Sequence, residues 1–191
     1  MKRLFIGLKV EAGETLLKTI SSLKTGLSYE SVKWTRLENL HVTLEFLGDT
    51  DEKLIRVISD ILRLSCEGFE RFDITLKGTG VFRNFNDPRI LWVGIESSRQ
   101  LNQLNEVIKN GLKGAGIKTE DKPFNPHLTL ARIKKISDNQ IFKSEVEEFQ
   151  NTVFQIVTVP EVVLYESTLQ QPGPVYTPLY KFQLITDQSS S

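Results

Sequence analysis

The chain has 191 residues, 39% hydrophobic and 25% charged, with 24 basic side chains balanced by 24 acidic ones for a net charge of zero. That length and apolar content suit one packed domain, and exclude both a disordered chain and one held to nucleic acid by overall charge. The single Cys66 excludes an internal disulfide and fits a reducing compartment. No apolar run is long enough for a signal peptide or a membrane span, so a cytoplasmic location is expected.

The pattern predicts a first strand over Leu4–Val10. A helix over Glu14–Leu27 follows, where Leu16, Leu17, Ile20, Leu23 and Leu27 recur at helical spacing. Val32–Arg36 and Leu40–Leu47 read as short strands, with Gly48-Asp-Thr-Asp51 as a stop and a cap for the next helix. That helix carries Leu54, Ile55, Ile58, Ile61 and Leu62 on one stripe. Phe72–Phe82 and Ile90–Glu96 are predicted strands joined by Arg83–Pro88, and Leu101, Leu104, Ile108 and Leu112 mark a third helix ending near Gly114 and Gly116. His127–Ile133 is predicted as a strand and Asp138–Phe149 as a helix. Val153–Leu169 and Tyr180–Thr186 read as closing strands, and 188–191 as a disordered tail. No glycine-rich phosphate loop follows the first strand, so the expected class is α+β, one bilobal domain over 1–187 with a groove between its lobes.

The two histidines of the chain head nearly identical strings, His41-Val-Thr-Leu44 and His127-Leu-Thr-Leu130. Chance would produce this on the order of once in ten thousand chains of such composition, so the repeat demands a reason. On a strand, His41 shares a face with Thr43 and His127 with Thr129, while Val42, Leu44, Leu128 and Leu130 point the other way. Opening a phosphodiester takes one proton from water and gives another to the leaving oxygen, and imidazole does both near neutrality. A threonine on the same face can hold a nonbridging phosphate oxygen. Two distant histidines and one cysteine do not make a metal site, so neither metal nor cofactor is expected. No Gly-x-Ser-x-Gly string supports a covalent nucleophile.

His41-Val-Thr-Leu-Glu-Phe-Leu-Gly48 and Phe124-Asn-Pro-His-Leu-Thr-Leu-Ala-Arg132 resemble the two signature motifs of the two-histidine phosphoesterases, in particular the LigT-like RNA 2′,3′-cyclic phosphodiesterases. Arg3-Leu-Phe-Ile-Gly-Leu8, Trp34, Glu38-Asn-Leu40, Pro88-Arg-Ile-Leu-Trp-Val-Gly94 and Gly173-Pro-Val-Tyr176 extend the likeness over nearly the whole chain. The resemblance implies a duplicated fold with pseudo-twofold symmetry, antiparallel sheets lining a central groove and helices outside. It implies metal-independent hydrolysis of a terminal 2′,3′-cyclic phosphate, on RNA 3′ ends or nucleotides, to a 2′-phosphate. It makes His41 the general acid and His127 the general base, and gives phosphate binding to Thr43, Thr129 and Arg132. The two strings by themselves do not distinguish acid from base.

Strict alternation puts Arg132 on the face opposite His127, so it reaches the phosphate only where the strand bulges, twists or ends. Phe124 is a candidate for stacking on a terminal base. Trp34 and Tyr176 are candidate groove walls, and Trp92 is expected in the core. Lys2, Arg3, Lys33, Arg36, Arg83, Arg89, Arg132, Lys134 and Lys135 flank the proposed strands and loops. Two other readings keep the site: a 2′,5′-phosphodiesterase or ligase acting on oligonucleotides, and a noncatalytic RNA-end binding protein. No obligate protein partner is expected, and the chain reads as a monomer.

Overall fold

The computed structural model describes residues 1–171 and 173–186; the tail expected to be disordered lies outside the described residues. Among the described residues are nine strands and four α-helices. They are β1 (Lys2–Lys9), α1 (Glu14–Gly26), β2 (Ser31–Trp34), β3 (His41–Thr50), α2 (Ile55–Cys66), β4 (Phe72–Phe82) and β5 (Ile90–Ile95). Then come α3 (Arg99–Gly114), β6 (His127–Lys135), α4 (Asn139–Glu147), β7 (Val153–Val159), β8 (Glu161–Leu169) and β9 (Pro174–Gln183). The strands run in the order β7-β4-β5-β6-β3-β1-β8-β9, with β2 beside β6, and the ladders are antiparallel.

That order is two four-stranded halves meeting at β6 and β3. One register pair, Val42 with Leu128, joins them. The two expected sheets are therefore two halves of one continuous sheet, and the expected groove falls at their seam. Helices α1 and α4 pack on the half built from β4–β7, while α2 and α3 pack on the half holding β3, β8 and β9. The chain therefore exchanges helices. α1 follows β1 but crosses to the other half, and α3, which follows β5, crosses back.

The helical stripes explain this packing. α1 buries Leu16, Ile20 and Leu23, α2 buries Ile58 and Leu62, α3 buries Leu101, Leu104, Ile108 and Leu112, and α4 buries Phe142 and Val146. Each such side chain contributes about 1.5–3 kcal/mol when fully removed from water. The Ser98 hydroxyl and the Asp138 carboxylate accept from backbone N–H groups and fix where α3 and α4 begin.

The end of the chain departs most from expectation. Val153–Leu169 is two strands separated by Pro160; β7 pairs with β4 while β8 pairs with β1 and β9, so the chain changes halves at that proline. β9 begins at Pro174, well before the expected Tyr180. Pro174 and Pro178 cannot donate to a ladder, but β9 is an edge strand where that is tolerated. β3 also runs on through Gly48 to Thr50, because Gly48 takes φ +66 where most residues would be strained.

Candidate active site

Val42 and Leu128 expose none of their surface, so the opposite faces of β3 and β6, which carry the histidines and threonines, turn away from the core. One step either way along their antiparallel register sets His41 against Thr129 and Thr43 against His127. Each histidine thus faces the other motif's threonine. All four side chains are half-buried.

The rings are held in the same manner. His41 Nδ1 lies 2.6 Å from the carbonyl oxygen of Asn39, and His127 Nδ1 lies 2.8 Å from that of Asn125. A carbonyl only accepts, so Nδ1–H donates in both, and each Nε2 is left free to take or give a proton. Asn39 does more than its counterpart. Its buried side chain donates to Pro174 O at 2.8 Å, tying the start of β9 to the turn that holds His41. The two carbonyls come from the residue two before each histidine, in Asn39-Leu-His41 and Asn125-Pro-His127, but any residue supplies a main-chain carbonyl, so this support is set by backbone path and not by side-chain type.

Aromatic rings close around both imidazoles. Phe5 lies 4.7 Å from the His41 ring, and Tyr176 meets that ring edge-on at 5.1 Å. Tyr165 stacks on Phe5 at 4.9 Å, and Phe82 meets His127 edge-on at 4.6 Å. Gly7 makes room for this: a Cβ there would meet Val42 O at 2.9 Å and His41 Cδ2 at 3.5 Å. Phe5, Tyr165 and Phe82 carry no repeated sequence signal and were missed.

Burial holds the pKa of both histidines below the ordinary value, while the Asn39 and Asn125 carbonyls pull upward. For His41 the charges of His127 and Arg132 push it further down. Burial raises the Tyr176 phenol, with Arg132 and Arg3 opposing. Burial also pushes the Cys66 thiol up to about 12, which leaves it an inert packing group in α2.

Arg132 reaches the groove because β6 bulges. Leu91 pairs with Ala131 but Trp92 with Thr129, so Leu130 is an extra residue, and Leu130 and Ala131 are both buried. The alternation flips there, and exposed Arg132 emerges on the face of His127 and Thr129. β3 bulges at the matching place, with Ile6 opposite Glu45 but Gly7 opposite Thr43.

The aromatic candidates divide. Tyr176 walls the groove beside His41. Trp34 does not, because it packs against the main core with Lys24 of α1 over its ring at 5.8 Å. Half-buried Phe124 packs against the same core. Trp92, expected inside, is on the groove side: its neighbours Leu91 and Val93 fill the core, while Trp92 pairs with Thr129 and lies over Gly80. Its indole N–H is buried without an acceptor among the described residues.

Of the basic residues flanking these strands, Lys2 pairs with Glu166, Arg36 with Glu38, and Arg83 and Arg89 with Asp87. Arg3, Lys33, Arg132, Lys134 and Lys135 have no carboxylate partner among the described residues. Among those residues no group of three or more His, Cys, Asp and Glu side chains could hold a metal ion. Among the described residues no helix is long and apolar enough to cross a membrane.

A family model described as the 2′-5′ RNA ligase superfamily matches residues 13–170. The chain is 37% identical over 150 residues to a Thermotoga maritima protein named RNA 2′,3′-cyclic phosphodiesterase, covering 78% of each. A protein of the same name from Methanothermobacter thermautotrophicus is 32% identical over 93% of this chain and 97% of its own. Among solved structures, TT0787 of Thermus thermophilus superposes with a TM-score of 0.79 at 27% identity, over 97% of this chain and 99% of that one.

Proposed function

Because the chain belongs to the 2′-5′ RNA ligase superfamily, we propose that it hydrolyses terminal 2′,3′-cyclic phosphates of RNA or nucleotides to 2′-phosphates, by metal-independent acid–base catalysis between His41 and His127. The observation that carries this reading is the seam pair Val42–Leu128, whose antiparallel register runs His41 toward Thr129 and Thr43 toward His127 on the face turned away from the core. The relatives' names support the substrate class.

The phosphate sits between the two imidazoles, with the Thr43 and Thr129 hydroxyls donating to its nonbridging oxygens. Arg132 balances the charge that builds there through charge-assisted bonds. His127 Nε2 takes a proton from the attacking water as the new P–O bond forms. His41 Nε2–H gives a proton to the departing 3′ oxygen as the old P–O bond breaks, and the phosphate stays on the 2′ oxygen. The acid and base labels follow the family resemblance; the free Nε2 on each ring suits both roles. The enzyme works as a cytoplasmic monomer, one domain spanning 1–187.

The test is turnover of a 2′,3′-cyclic nucleotide in excess chelator, with phosphorus NMR identifying the product. His41→Ala and His127→Ala each lose about a hundredfold to ten-thousandfold in kcat. Full activity in either variant overturns the reading. Turnover confined to 2′,5′-linked oligonucleotides assigns the same site to that substrate, and tight binding without product assigns it to RNA-end recognition.

A further inference from the structure

Position five after each histidine is equivalent in the two halves, because β3 and β6 bulge at the same step. In β6 that residue is Arg132, and in β3 it is Phe46. The first half has not lost its cation there. Arg3, from the neighbouring strand, places its guanidinium 5.0 Å from the centre of the Phe46 ring. Arg3 shares a face of β1 with Phe5 and Gly7, the face that looks into the groove. It is exposed and has no carboxylate partner among the described residues.

We infer that Arg3, seated on Phe46, holds a second phosphate of the RNA strand: the diester on the 5′ side of the terminal nucleotide, next to the cyclic phosphate. The inference rests on the cyclic-phosphate reading for the position of the first phosphate. Thr43, which holds that phosphate, is opposite Gly7, and Phe46 is opposite Phe5, one strand repeat further along. That repeat is about 6.6 Å, and a stretched RNA strand spaces its successive phosphates similarly. Arg132 bears on both His41 and Tyr176, and Arg3 bears on Tyr176, which places both guanidinium charges on the same side of the site. Arg3 thereby gives the enzyme a preference for chain ends over free nucleotides.

The experiment compares wild type, Arg3→Gln and Arg3→Lys on adenosine 2′,3′-cyclic phosphate and on the dinucleotide ApA ending in 2′,3′-cyclic phosphate. Arg3→Gln raises KM for the dinucleotide about tenfold with kcat kept, leaves the mononucleotide unchanged, and is partly rescued by lysine. The salt dependence of dinucleotide binding falls by about 0.7 in log–log slope. Equal losses on both substrates, or no loss on the dinucleotide, overturn the inference. Binding of ApA carrying a terminal 2′-phosphate needs no turnover: weaker binding in Arg3→Gln upholds the Arg3 site even where the wild type proves inert, an outcome that removes only the catalytic reading.

Discussion

Val42 stands opposite Leu128 at the seam where the two halves of the sheet join, and both are wholly buried. The spacing of the histidine and threonine pairs depends on this apolar contact behind them. Leu128→Ala is expected to cost about 2–5 kcal/mol, and an equally buried control far from the seam, Leu112→Ala, about the same. Only Leu128→Ala should also lower kcat well below its melting temperature, because the reacting groups lose their fixed separation. Equal retention of kcat in the two variants would show that the seam does not set the site.

Both histidines titrate below the ordinary value of about 6.5, burial being the main cause. The unfolded chain therefore binds more protons than the folded one as pH drops through that value. Stability falls with pH across that window and levels off below the folded pKa values. Melting temperature against pH checks this. In the free enzyme the two imidazole Cε1 proton signals should both move at midpoints below 6.5, as should the limbs of kcat/KM. Bound inorganic phosphate stabilises the cations and should raise both midpoints. A midpoint above 6.5 in the free enzyme contradicts the burial seen for that ring.

Arg132 is expected to contribute through its charge and its fork geometry. Arg132→Ala should lower kcat/KM about a hundredfold, and Arg132→Lys should recover part of that, since a point charge replaces a bidentate donor. Steady-state kinetics on a cyclic mononucleotide decide it. A neutral Arg132→Ala would put the side chain outside the phosphate site.

Gly80 is bare because Trp92 lies over it. A Cβ at Gly80 would meet Trp92 Cη2 and Cζ2 at 2.4 Å, and a backbone-anchored methyl cannot yield. Gly80→Ala should cost about 1–3 kcal/mol and displace the indole across the groove floor beside Thr129. The changes to look for are in melting temperature, tryptophan fluorescence and KM. An unaltered KM with an altered spectrum would remove Trp92 from the substrate path.

Much of this was legible in the chain. The helical stripes gave all four helices, and the His-x-Thr strings gave the two central strands, because period and burial coincide there. What escaped depends on partners rather than on pattern. Strict alternation sends Arg132 inward, and only the two-against-one pairing of β6 with β5 reverses it. Trp92 sits in an apolar string, yet its face follows from the register with Thr129. Pro160 has strand-forming residues on both sides, so it gives no pattern break, although it is where the chain changes halves. Phe5 and Phe82 approach the histidines through pairings that no spacing encodes.

The exchange of α1 and α3 between the halves gives neither stretch of sequence a complete lobe of its own. Two identical half-length subunits wound together in this way would carry the same residue at both ends of the groove. A single chain is free of that constraint. A phenylalanine can then occupy the place that an arginine fills across the axis, and a symmetric scaffold can tell one end of its substrate from the other.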